Sequence, residues 1–347
     1  MTPLLLVLPL LLLFGGGVQA NETRIRFEAI RASEHVDAGA ATQAMVALAE
    51  QGFAPAMDRV GYYHRHGVGT PKDLLWAHRW YVRAVASGHP WSTASLARVE
   101  IELGLEQAAH HRLKIAIRDG KPGVHRLFAT AHIDGKFGRS SDPDTGRAVL
   151  ERLSADGDVE AARDLMQRIN WRRLNNPAPA PVVDLVVQAG LRWDPRFAEP
   201  ALIYLSRYGG REHDAMTLRS RLIDVPGIRH RVVAPERIRL AAVRSPQRFW
   251  SQAEIILGDS SGEGFVRAAI TAFWINKNAW VRVLQSELRQ SGYYSGQING
   301  RMTKRTIRAQ NRFCRDAQIW TVCSKGPLTG ATVRAVAQAI QTGKSNK

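Results

Sequence analysis

Cysteine is almost missing from this chain of 347 residues: only Cys314 and Cys323 are present, both near the C-terminal end. Histidine is missing after His230. A Cys/His zinc site around the two cysteines therefore lacks its further ligands. The same shortage counts against a serine hydrolase. Gly258-Asp259-Ser260-Ser261-Gly262 fits the G-x-S-x-G spacing, but the hydrolases that use this elbow place acid and histidine after the serine. A helix start after a Gly/Ser loop explains the segment better. His64-x-His66 and His110-His111 have no acidic residue at a supporting spacing, so no metal is expected there, and no cofactor elsewhere: neither a phosphate-binding loop nor a dinucleotide fingerprint occurs. Beyond the first twenty residues no segment is apolar enough for a transmembrane helix. Acidic residues are scarce, 31 Asp and Glu against 48 Lys and Arg, a net charge of +17.

What is present starts with the leader. Leu4 to Phe14 is apolar but for Pro9, Gly15 to Gly17 are expected to end any helix, and Val18-Gln19-Ala20 has small residues where a signal-peptide cleavage site needs them. The run is short for a bilayer span, no cysteine is available for lipidation, and the usual charged n-region is absent. Residues 1–20 read as a cleaved signal peptide, with a retained membrane anchor as the alternative. An exported chain with two closely spaced cysteines is expected to join them in a disulfide.

Charge is unevenly spread. From Lys277 to Lys347 there are 13 Lys and Arg against Glu287 and Asp316, a net +11. In the cytosol such a basic segment points to nucleic acid. Outside it, the available polyanions are wall polymers, anionic lipid head groups and acidic polysaccharides; no nucleic-acid partner is expected. A solubilising surface charge is the simpler alternative.

Gly52, Gly88, Gly120, Gly157 and Gly190 recur at spacings of 36, 32, 37 and 33, each after a stretch with helical apolar spacing. A glycine just past a helix end is a left-handed cap, so the rhythm predicts stacked helix pairs, each burying its apolar face against the next. The first full unit carries Ala56, Val60, Gly61, Gly67, Gly69, Asp73, Ala77, Trp80, Tyr81, Ala84 and Gly88. Over about 35 residues this resembles the SEL-one-like repeat, a relative of the tetratricopeptide repeat, although His64 and Thr70 replace the usual Tyr and Val. The small residues allow close helix approach, Gly67 and Gly69 a tight loop, Trp80 and Tyr81 fill the groove between units, and Asp73 is placed to cap a helix. The resemblance implies a solenoid and a protein-interaction role. Later units are weaker: Gly135, Gly138, Asp144, Ala148 and Gly157 echo the pattern, and Asn175 to Pro181 reads as a loop.

The C-terminal module runs Val283-Leu284-Gln285-x-x-Leu288, then Gly292-Tyr293-Tyr294-x-Gly296-x-Ile298-Asn299-Gly300, then Thr303, Thr306, Ile307, Ala309 and Phe313, then Gly326-Pro327-Leu328-Thr329 and Thr332 before a last helix. This order, over about 65 residues, resembles the peptidoglycan-binding domain of many wall hydrolases and envelope proteins. Cys314 departs from it, standing where the family has Gln. A bridge to Cys323 would staple a connection in a small module. Leu284, Leu288, Ile298, Ile307 and Phe313 are expected in the core. Of the rest, Tyr293 or Tyr294 is placed to stack on a sugar, Asn299 to hydrogen-bond a muropeptide, and Arg301, Lys304, Arg305 and Arg308 to meet carboxylates.

The expected fold is all-α: a helical repeat solenoid over 21–210, a helical connecting region of no recognised family over 211–276, and a three-helix peptidoglycan-binding-like module over 277–343. The expected function is that of a non-enzymatic periplasmic envelope protein that binds peptidoglycan or another anionic envelope polymer and presents its repeats to an envelope protein. Two other readings stand beside it: a protein–protein regulator of envelope signalling or exopolysaccharide assembly without glycan affinity, and a wall hydrolase with an unrecognised site between Arg211 and Asn276. Export is tested by amino-terminal sequencing of the protein from cell fractions. A mature chain beginning near Asn21 in the periplasm is expected, and an intact Met1 in the cytosol overturns the assignment.

Overall fold

A computed structural model describes the backbone of residues 15–209 and 213–345 and the side chains of 21–209 and 213–343. Leu4 to Phe14 of the expected leader, and the boundary placed at 210/211, lie outside the described residues. The described chain is all helical, with no β-strand. It divides into two compact units between Arg152 and Leu153.

In the first unit the helices are α1 (Gly15–Ser33), α2 (Ala38–Glu50), α3 (Ala54–His66), α4 (Leu74–Ala86), α5 (Ser92–Glu102), α6 (Glu106–Arg118) and α7 (Val124–Ile133), followed by α8 (Pro143–Ala155), within which the division falls. Gly15 to Gly17 are helical, as part of α1, and do not end it, since α1 runs on through Val18-Gln19-Ala20. A helical glycine costs roughly 1 kcal/mol relative to alanine, which is a penalty rather than a stop.

The recognised repeat unit is α3 and α4. Val60, Ala56, Ala77 and Ala84 are fully buried, with Trp80 and Tyr81 nearly so. Gly67 is the left-handed cap of α3. Asp73 is the N-cap of α4, its carboxylate accepting from the backbone N–H groups of Leu75 and Trp76 at 2.8 and 2.9 Å. Gly61 lies against the ring of Tyr81, so a Cβ there would sit 2.8 Å from Cε1. Each pair shares its core with its neighbours: Phe27, Met45 and Leu48 of α1 and α2 join Val60, Tyr63 and Trp80 in one cluster, and Tyr81 of α4 joins Leu96 and Val99 of α5 in another.

The glycine rhythm holds at four of five positions. Gly52, Gly88, Gly120 and Gly157 all have positive φ. Gly190 does not. It ends α10 in ordinary helical geometry, buried where a Cβ would meet Ala198 Cα at 2.7 Å. The left-handed residue of that connection is Trp193, φ 67°. Gly190 is thus small for close packing, not for capping.

The second unit contains α9 (Val159–Asn170), α10 (Ala180–Gly190), α11 (Pro195–Tyr208), α12 (His213–Leu222), α13 (His230–Arg244), α14 (Phe249–Gly258), α15 (Gly262–Ile275), α16 (Lys277–Gln290), α17 (Lys304–Asp316), the single turn α18 (Trp320–Cys323) and α19 (Gly330–Ser345). First helices of successive pairs start at Val159, Pro195 and His230, so the paired arrangement continues through α13 and α14, inside the region that carries no sequence signature. Pro200 and Pro235 stand within α11 and α13, which obscures a helical reading of those segments.

The boundary expected at 276/277 is not a break in the core. Ile238, Phe249, Phe265 and Phe273 lie in one buried cluster with Trp280, Leu284, Leu288, Phe313, Val333 and Val336, and only Asn276 separates α15 from α16. Three short helices bury too little surface alone, and α13 to α15 supply the rest. Ile298 and Ile307, expected in the core, are only half-buried. Cys314 and Cys323 are joined in a disulfide, with Cα atoms 6.4 Å apart.

Two outcomes follow. Gly61→Leu should cost about 1–3 kcal/mol or more, because the new side chain must displace the buried Tyr81 ring; an unchanged melting temperature would show that the contact is not tight. Reducing the disulfide, which closes a loop with a sequence separation of 9, should lower stability by about 2–3 kcal/mol on the loop-entropy account, read as the shift in urea midpoint between oxidised and reduced protein.

Candidate polyanion-binding face

The exposed basic residues of the C-terminal segment are held in place by one buried amide. Gln285 on α16 is fully buried. Its Oε1 accepts from the backbone N–H groups of Asn299 and Gly300, each at 2.9 Å. Its Nε2 donates to the Arg301 carbonyl and the Thr306 hydroxyl, each at 3.0 Å. One side chain thus ties α16 to the turn and to the start of α17. Gly300 has φ 72° and faces the Asn278 carbonyl, where a Cβ would lie at 2.8 Å, so no other residue suits the turn. Thr303 is the N-cap of α17, its hydroxyl accepting from Thr306 N–H.

On α17, Thr306, Ala309, Gln310, Phe313 and Cys314 are buried, while Lys304, Arg305, Arg308, Arg312 and Arg315 are exposed. Spacings of three and four put Lys304, Arg308, Arg312 and Arg315 along one side, with Arg301 exposed just before the helix. Arg305 donates to the Ser295 hydroxyl and Arg312 to the Tyr293 carbonyl, and Arg315 lies over the Trp320 ring, 4.5 Å from its centroid. Arg301, Lys304 and Arg308 have no acidic partner among the described residues. The four expected basic residues are therefore brought together, and Arg312 and Arg315 extend the set.

The expected polar and aromatic contacts fare differently. Tyr294 is 7% exposed, and its hydroxyl donates to the Gln297 carbonyl at 2.9 Å. Its ring is core, pressed against Gly296, and has no face to offer a sugar. Asn299 is half-buried, and its Oδ1 accepts from Arg301 N–H at 3.0 Å, which closes the turn. Tyr293 is the remaining aromatic: half-buried, edge-on to Phe313 at 5.4 Å, with its hydroxyl donating to Asp316 at 2.9 Å. That bond raises the phenol pKa above its usual 10.0. Gln285 was missed in the sequence because a polar residue inside an amphipathic helix reads as solvent-facing. Its spacing, four positions after Val281 and three before Leu288, was the available signal.

The other chemistry searched for in the sequence is also placed. Ser260 lines a cavity of about 280 Å³ with Asp224, His230 and Asp259, so the fold brings to this serine a histidine that precedes it in the chain. The Ser260 hydroxyl nevertheless donates to the Ile256 carbonyl at 2.6 Å, as serines do at a helix end, and no hydrogen bond joins it to His230. His64 packs on Trp76 and His66 on Tyr62. His110 and His111 diverge. His111 is exposed, whereas His110 stacks on Phe128 and meets His132 edge-on at 5.1 Å. His132 is buried, with Nδ1 accepting from Asp142 N–H at 2.9 Å. No group of three or more metal-ligating side chains gathers among the described residues.

No family model matches the chain, and no curated protein matches it. Among solved structures it is similar to a protective antigen of uropathogenic Escherichia coli that displays an SLR fold, with 14% identity and a TM-score of 0.47, over 91% of this chain and 72% of that one. It is also similar to a Sel1 repeat protein from Oxalobacter formigenes, with 15% identity and a TM-score of 0.45, over 67% of this chain and 97% of that one. Among the described residues no helix is long and apolar enough to cross a membrane.

Two measurements test this description. Gln285→Ala strands two buried backbone N–H groups, each of which costs about 1–3 kcal/mol when unsatisfied, so the melting temperature should fall while Asn299→Ala, nearer the surface, costs less. Burial lowers the folded-state pKa of both His110 and His132 below 6.5. Their contribution to stability is then complete above pH 6.5 and is lost as pH falls below it, because the unfolded chain takes up protons first. His132→Asn, which keeps an acceptor for Asp142 N–H, should flatten the melting-temperature profile between pH 7 and 5.

Proposed function

We propose that this chain is a non-catalytic binding protein of the bacterial envelope. The basic face of α17 attaches to peptidoglycan or a similar anionic envelope polymer, and the helix pairs present a surface to a protein partner. The observation that carries the attachment is the placement of Arg301, Lys304, Arg305 and Arg308 together, exposed, on a turn and helix fixed by Gln285. Arginine and lysine in such an array meet carboxylates and phosphates through charge-assisted hydrogen bonds. With Tyr294 in the core, attachment is chiefly electrostatic, with Tyr293 and Trp320 the aromatics beside it.

The test is co-sedimentation of the full chain with purified sacculi across a salt series. Exposed charges are screened over about 8 Å at physiological ionic strength, so binding should weaken steeply as salt rises. Replacing Arg301, Lys304, Arg305 and Arg308 together by Gln should abolish most low-salt binding without changing the circular dichroism spectrum. Binding that survives both high salt and the fourfold change overturns the electrostatic account. Absence of binding at low salt overturns the attachment itself and leaves the protein-partner role as the leading reading.

A further inference from the structure

The connection between α7 and α8, residues 134–142, ends on a histidine ring of α7. Asp142 N–H donates to Nδ1 of His132 at 2.9 Å, and His132 is 3% exposed. A ring nitrogen that accepts carries no proton, so the neutral ring holds its proton on Nε2. That nitrogen is buried and has no partner among the described residues. The site therefore fits the neutral ring in one tautomer. A proton on Nδ1 would turn the acceptor into a second donor facing Asp142 N–H, and Nε2 offers the new charge no buried acceptor.

The surroundings do little to accommodate that charge. Phe128 and Phe137 meet the ring edge-on at 4.3 and 4.9 Å. His110 of α6 meets it at 5.1 Å and is itself stacked on Phe128, so two imidazoles share one aromatic cluster. Burial holds both below their ordinary 6.5, and each ring is also disfavoured by other positive groups: His110 and Lys114 act on His132, Lys114 and His111 on His110. The Asp142 carboxylate pulls His132 the other way, but it is engaged by Asp144 N–H and the Thr145 hydroxyl. Glu106 of α6 lies farther along, against Gly138. Within the connection the bonds are short turns: Phe137 N–H donates to the Ser141 hydroxyl, Ser140 N–H to the Phe137 carbonyl and Ser141 N–H to the Gly138 carbonyl. The segment is tied to α6 and α7 through the Phe137 ring, 1% exposed, and through Asp142 N–H.

We infer that residues 134–142 form an acid-released latch: protonation of His132 and His110 detaches Asp142 and Phe137 and uncovers the Phe128 ring, while helices without a buried histidine stay closed. This is a local opening, narrower than a general loss of stability, and it does not depend on polyanion binding by α17. Its size follows from linkage. In the open form both rings meet water and regain a pKa near 6.5, so opening takes up protons as pH falls. Between pH 7 and 5 each ring raises the open population by up to about 25-fold, and the two together by up to about 600-fold.

The test is hydrogen–deuterium exchange of the full chain, read by mass spectrometry at pH 7 and pH 5 with labelling times scaled for the intrinsic exchange rate. Peptides covering 134–142 should lose protection at least ten-fold at pH 5. Peptides from α2 and α16, which contain no histidine, should be roughly unchanged. His132→Asn keeps an acceptor for Asp142 N–H and takes no proton, so it should remove most of the acid effect. His110→Phe keeps the stack on Phe128 and should reduce the effect several-fold; it also serves as the deciding variant if circular dichroism shows His132→Asn unfolded. A loss under ten-fold at 134–142 overturns the inference. So does a loss of equal size in α2 and α16, which would be general unfolding, or an undiminished acid effect in the folded variant.

Discussion

A pair of helices of this length cannot bury its own apolar stripe, and that constraint organises the helices within each unit. Each pair must be closed by the next. Tyr81 shows how: it packs against Gly61 within its own pair and joins Leu96 and Val99 of the following one. Ala56, Ala77 and Ala84 are small for the same reason, since helix axes approach only as closely as the side chains between them allow. The constraint also explains why α16 to α19 do not form an independent core. Their apolar faces are completed by Phe249, Phe265 and Phe273, so the segment that looks like a separate module is the last layer of the second unit.

Within that layer, the polar economy is concentrated in Gln285. A buried carboxamide with both ends satisfied costs little, and here it replaces the hydrogen bonds that a turn without regular structure lacks. The consequence is functional. The turn carrying Arg301 and the start of the helix carrying Lys304, Arg305 and Arg308 are positioned by the same side chain, so the spacing of the exposed charges is set from inside. Elsewhere in the second unit a buried carboxylate, Glu236, holds Arg219 and Arg239 beside a mostly apolar cavity.

Much of this was legible in the residues. Positive φ at Gly52, Gly88, Gly120 and Gly157, the capping role of Asp73, the close contact at Gly61 and the Cys314–Cys323 bridge follow from local chemistry: glycine where a left-handed residue is needed, an acid before a helix, a small residue under a ring, two thiols nine positions apart. Such features depend on neighbours in sequence or on the next helix of the same pair. What only the tertiary structure decided depends on distant segments. Gly190 is a packing residue because Ala198 lies against it, and Tyr294 turned inward rather than out because α16 and the 296–300 turn enclose its ring. His230 lines the same cavity as Ser260 although it precedes that serine in the chain. Arg207, Arg231, Arg239 and Arg267 line one cavity of the second unit although no motif links them; only the packing of helices far apart in the chain brings them there.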